Sequence, residues 1–132
     1  MDELSAVTDL LYGLGTPMPG LFLSDEEAMA MVRQRFPHAE FCLVRDWLWL
    51  DLEVTPVERE QLSKTGRQPV VVYAHTVIYD SNRRWDVGDF VRTSPLHILH
   101  GEGLFQTWNT LYVLLGEGQR KRVALETVGR IF

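Results

Sequence analysis

Apolar residues at Leu4, Val7, Leu10, Leu11 and Leu14 recur at helical spacing from Asp2 to Leu14, with acids near the start, where the helix dipole favours them. Gly13, Gly15, Pro17, Pro19 and Gly20 then break the run into an irregular connector. Ser24-Asp25-Glu26-Glu27 is a capping box, so a second helix starts at Asp25. It runs to Phe36 and stops before Pro37, whose ring disfavours a helical residue ahead of it. The period then falls to two. Leu48, Leu50, Leu52 and Val54 alternate with Trp47, Trp49, Asp51 and Glu53, the pattern of a half-buried strand. Glu40 to Val44 forms a strand before it, with a tight turn at Arg45-Asp46. Thr55-Pro56-Val57-Glu58 opens a short helix over 56–64, closed by Gly66.

From Pro69 onward the pattern is β throughout. Val70 to Asp80 is β-branched and aromatic, and Ser81-Asn82-Arg83-Arg84 forms a polar turn. Strands follow at Phe90 to Ser94 and Leu96 to Leu99, then one long strand or two short ones over Leu104 to Leu115, and a last strand at Arg122 to Val128. Turns lie at Ser94-Pro95, Gly101-Glu102-Gly103 and Gly116-Glu117-Gly118. The spacing predicts an α+β fold: N-terminal helices packed on an antiparallel, barrel-like sheet. One domain over 1–132 is expected, with a helical front at 1–37 and a β-rich part at 40–132.

Length and composition agree. The 132 residues are 45% hydrophobic, enough for one buried core and too many for a disordered chain. The sequence shows neither an apolar run of membrane-span length nor a signal-peptide pattern, so a cytoplasmic, soluble protein is expected. The net charge of −5 divides unevenly. Residues 1–60 carry 12 acids and 4 bases, and residues 61–132 carry 6 acids and 9 bases. Overall acidity disfavours nucleic acid as the main partner.

Chemistry is sparse. Cys42 stands alone in Phe41-Cys42-Leu43-Val44 and has the surroundings of a buried small hydrophobe. His97 and His100 lie on a strand, where positions three apart face opposite ways, so a shared metal is not expected. Asp80 to Asp86 lacks the glycine and glutamate of a calcium loop. The chain has no nucleophile elbow, P-loop, dinucleotide fingerprint or zinc-protease motif. No enzyme and no cofactor are therefore expected.

Three functional readings stay open. In the first, Trp47, Trp49, Asp51 and Glu53 form an exposed face that binds a host or cognate protein, or a second copy as a homodimer. Its alternative is a second core layer, with the helix from Asp25 to Phe36 covering the tryptophans. In the second reading, Arg83, Arg84, Trp85, Arg120, Lys121 and Arg122 lie at hairpin tips and grip nucleic acid. Ordinary solubilising turns explain the same residues. In the third, a small enzyme site is built from Tyr73, His75 and Asp80, with Tyr79 on the same strand face as Tyr73 and His75.

The segments Tyr73 to Ser81, Gly88 to Leu96 and Thr107 to Gly116 resemble a family of small uncharacterised bacterial proteins, phage- or prophage-associated. The resemblance covers about residues 70 to 120 and implies no activity, ligand or catalytic residue. It is compatible with a phage- or mobile-element-encoded factor that modulates a host protein. Gly88-Asp89-Phe90-Val91-Arg92 also resembles the start of a strand in SH3-like barrels.

Overall fold

The computed structural model of the protein describes residues 3–129. Asp2 and the side chain of Leu4, both part of the expected first helix, lie outside the described residues and side chains. The elements in chain order are α1 (Glu3–Tyr12), β1 (Thr16–Pro19), α2 (Asp25–Arg35), β2 (Phe41–Glu53), α3 (Pro56–Lys64), β3 (Val70–Asp80), β4 (Val91–Arg92), β5 (Ile98–Leu99), β6 (Leu104–Gln106), β7 (Leu111–Leu114), β8 (Glu117–Ala124) and α4 (Leu125–Val128). The α+β class expected from the pattern is observed. Both capping boxes form: Ser24 with Glu27 starts α2, and Thr55 with Glu58 starts α3.

Four local expectations change. The turn at Arg45-Asp46 is a kink inside one 13-residue strand. Asp46 takes a left-handed φ of 53°, a conformation aspartate tolerates, so the chain bends there without reversing. The connector at 13–20 contains a short edge strand, β1. Its prolines are tolerated because a strand on the rim need not donate every ladder bond. Glu117 and Gly118 belong to β8 rather than to a turn, and the last strand ends at Ala124, where α4 begins.

The sheet has eight strands, in the order β1-β8-β2-β7-β6-β5, with β3 on the other edge of β2 and β4 on β3. Most pairs are antiparallel, as the spacing predicts. β2 is the exception: it runs parallel to β7 over Phe41–Val44 and parallel to β8 over Leu48–Glu53. β7 and β8 thus follow one another along the same edge of the longest strand, separated only by Leu115 and Gly116. Ladder pairing leaves the sheet open, yet residues 93–97 carry it round on itself. Thr93 and Leu96 donate to Val72 and Val70 of β3, and His97 then donates to Gln106 of β6. Pro95 interrupts this segment because it has no N–H to contribute.

The curl explains the fate of the tryptophans. Trp47 and Trp49 are 1% and 6% exposed, so they are not a surface. They form a core layer with Val72, Ala74, Val91, Leu96, Phe105 and Leu114, all from the sheet and its connections. Trp49 meets Phe105 edge-on at 5.5 Å. Phe105 is opposite Tyr112, and Tyr112 is opposite Cys42, seven residues from Trp49 along β2. On a flat sheet that separation is roughly 23 Å, so the contact exists only because the sheet folds over. The helix expected to cover the tryptophans covers something else: Ala28 and Val32 of α2 pack on Phe41, Leu43 and Val113. α1 and α4 cover Leu48, Leu50, Leu52 and Val71. Both faces of β2 are therefore buried.

Two glycines shape the Trp47 slot. A Cβ on Gly118 would overlap the indole, and one on Gly20 would meet both the indole and the Leu114 carbonyl. The indole Nε1 donates to the Leu115 carbonyl at 3.1 Å.

Candidate functional site

The parallel register of β2 and β8 sets Trp49 opposite Arg120 and Asp51 opposite Arg122. Alternation puts these four side chains on one face, while Leu50, Leu52 and Val123 point into the core beneath α1. A cleft of about 700 Å³ opens at this end of the sheet, lined among others by Asp51, Glu53, Arg59, Arg120 and Arg122. Arg120 holds Asp51 bidentately, at 2.6 and 3.0 Å. Asp51 also accepts from Trp49 Nε1 at 3.2 Å, and the Arg120 guanidinium lies 5.8 Å from the Trp49 ring centre. The hydrogen bonds from Asp51 raise the Arg120 pKa. Arg59, presented by α3, and Arg122 make no ion pair among the described residues.

Residues from the two oppositely charged surfaces expected from sequence thus meet in one place. Trp49, Asp51 and Glu53 share the cleft with Arg120 and Arg122, while Trp47 is sealed in the core. The corrected site keeps the acids and loses the exposed tryptophan pair.

The six residues of the nucleic-acid reading do not form one patch. Arg83 and Arg84 follow Asp80, which pairs with Cys42 at the opposite end of β2 from Arg120. Arg84 is already engaged. It donates from its backbone and guanidinium to Asp80 at 2.7–3.1 Å, donates to Thr110 Oγ1 at 2.9 Å and lies 4.3 Å from the Trp85 ring centre. Trp85 is half-buried against the core. Lys121 is no hairpin tip either. It points to the other face of β8, and its ammonium donates to the carbonyls of Leu10 and Gly13 at 2.6 and 2.5 Å, and to Asp9 at 3.3 Å. This closes the C-terminal end of α1, where a cation is favoured. Desolvation lowers the Lys121 pKa. Lys121→Met is expected to cost about 1–2 kcal/mol, read as a lower urea midpoint, with faster amide exchange confined to α1.

The residues of the enzyme reading also separate. Tyr73 and His75 line a second cleft, of about 670 Å³, with Tyr12, Trp85, Asp89, Phe90 and Arg92. Asp80 is not among them, since its carboxylate is held by Arg84. Tyr79 packs on Phe41 in another cluster, six residues along β3 from Tyr73, and the β2–β3 register slips nearby between Leu43 and Val44. His75 Nε2 lies 3.2 Å from the Leu11 carbonyl, and the ring stacks on Tyr12, so this face is packed against the end of α1. Burial, with the Asp80 charge adding to it, pushes the Cys42 thiol up to about 12, so it is no thiolate nucleophile at neutral pH. His97 Nδ1 lies 2.6 Å from the Gly66 carbonyl, and His100 contacts Gln106 Oε1 and the Phe36 ring. His75, His97 and His100 thus each have a separate partner.

Arg59, Tyr12 and Phe90 were not singled out by sequence. Arg59 reaches the cleft from a helix remote from β8 in sequence, and no local spacing signals that approach.

The fold and cleft define a small α+β domain with a curled, mixed sheet and a charged cleft at one end. The chain belongs to the family of a domain of unknown function, DUF6957, whose model matches residues 19–130. The match leaves α1 outside it. No curated protein and no solved structure matches the chain. No helix among the described residues is long and apolar enough to cross a membrane.

Proposed function

We propose that the protein is a non-enzymatic, cytoplasmic binding factor whose charged cleft receives an acidic segment of a partner protein. The observation that carries this reading is the pair Arg59 and Arg122, two guanidinium groups facing one cleft without ion-pair partners among the described residues. Arginine binds carboxylates bidentately and is weakly hydrated, so it gives up less solvation on docking than lysine would. The Asp51–Arg120 pair beside them holds the wall in place. The separation of Asp80, held by Arg84, from Tyr73 and His75 supports a binding role over a catalytic one. The resemblance of residues 70 to 120 supports an origin in a phage or mobile element and a host protein as target. A protein that neutralises a toxin belongs to the same physical class.

Fluorescence anisotropy with labelled octaglutamate, octalysine and a single-stranded oligonucleotide at low salt tests the reading. Octaglutamate is expected to bind, to weaken about tenfold in the Arg59→Ala/Arg122→Ala variant, and to be released at high salt. Failure of octaglutamate to bind, or preferential binding of the oligonucleotide, would overturn it. So would sizing that finds a stable homodimer burying the cleft.

A further inference from the structure

The second cleft has a different chemistry. Four of its lining residues form a chain of rings: Tyr12 stacks on His75 at 5.5 Å and 25°, His75 meets Tyr73 edge-on at 4.9 Å, and Tyr73 stacks on Phe90 at 5.7 Å and 28°. The two ends of the chain are open, with Tyr12 73% and Phe90 48% exposed. Aromatic rings left facing solvent around a cavity of about 670 Å³ are what a small-ligand site presents. Three elements bring them together: the end of α1, the middle of β3 and the loop before β4.

His75 adds a polar handle. The Leu11 carbonyl can only accept, so Nε2 carries the proton that points to it. In the neutral ring Nδ1 is then an acceptor, and it has no hydrogen-bond partner among the described residues. Asp89 and Arg92 both line the cleft, so an acid and a base border the rings.

We propose that this cleft binds a small planar heteroaromatic molecule whose ring stacks on Tyr12 or Phe90 and whose N–H donates to His75 Nδ1. The site is independent of the charged cleft, with which it shares no lining residue.

Amide chemical-shift titration with indole, adenosine, 1-methylindole and tetramethylammonium tests it. Indole or adenosine is expected to saturate with millimolar or tighter affinity, shifting Gly88, Asp89 and Val91. Tyr12→Ala and Phe90→Ala remove exposed rings, so both variants should fold, and the one that removes the stacking ring should weaken binding at least fivefold. 1-Methylindole lacks the N–H and should bind several-fold more weakly than indole. Arg59→Ala/Arg122→Ala should leave the titration unchanged, which separates failure of this proposal from failure of the charged-cleft reading. No saturable shift up to 10 times millimolar ligand, tighter binding of tetramethylammonium, or equal affinity for indole and 1-methylindole would overturn the assignment.

Discussion

Replacing Trp47 by alanine is expected to lower folding stability by about 3–5 kcal/mol, the range for emptying a buried tryptophan site. The side chain is essentially inaccessible and touches the inner layer of a curled sheet. Removing it also leaves the Leu115 carbonyl without its donor. Trp47→Phe keeps a ring but not the Nε1–H, and should cost about 1–2 kcal/mol for the unmet acceptor. Gly118→Ala attacks the same contact from the other side, since its methyl overlaps the indole. A further loss of about 1–3 kcal/mol is expected there from overpacking. All three are read as urea midpoints at unchanged slope. A surface tryptophan would change stability by less than about 0.5 kcal/mol, so a Trp47→Ala midpoint within that margin would refute the buried layer.

Arg84→Met should cost about 3 kcal/mol at neutral pH, the lower end of the range for breaking a buried ion pair. The lower end applies because Arg84 is itself one-third exposed while the Asp80 carboxyl is fully covered. Burial pushes the Asp80 pKa up, but the hydrogen bonds and charge of Arg84 outweigh it and hold the carboxyl below the usual aspartate value of 3.8. An acid with a depressed folded pKa stabilises the protein above its unfolded pKa, and that contribution is lost as pH falls through the folded value. The natural protein should therefore lose stability below about pH 4, and Asp80→Asn should lose less of it. In Arg84→Met the guanidinium hydrogen bonds and charge are lost, while the backbone N–H groups of residues 84 and 82 still donate to Asp80, so the carboxyl pKa moves up toward the ordinary value. Its stability should then fall less steeply below about pH 4 than that of the natural protein. Urea midpoints at pH 7, 5 and 3.5 decide this. Parallel pH profiles for the two proteins would show that Asp80 does not depend on Arg84.

Helix starts were legible because their determinants are local. Ser24 and Glu27, and Thr55 and Glu58, satisfy each other's backbone groups three residues apart, whatever surrounds them. The alternation from Trp47 to Val54 likewise marked a strand and chose Leu48, Leu50 and Leu52 as core. It could not say what lay on the other face. A period of two assigns residues to sides and leaves open whether a side meets water, a helix or the same sheet curling back. The kink at Asp46 was read as a turn because a left-handed aspartate is common to both.

Arg84 and Lys121 show a second limit. In sequence both stand in runs of basic residues, the pattern of solvated tips. In the fold one is held by a carboxylate four residues back, and the other by carbonyls more than 100 residues away. The charged cleft is equally non-local, since it depends on β8 lying parallel to β2 and on α3 bringing in Arg59.

The sequence by itself determined the α+β class, the two capped helices and the inward leucines of the central strand, all through interactions spanning a few residues. The tertiary structure alone decided that the tryptophans are core, that acids and arginines of opposite halves share a cleft, and that two other basic residues are structural. The reason is physical: charge and exposure are properties of neighbours in space, and parallel pairing and sheet curl choose those neighbours from distant parts of the chain.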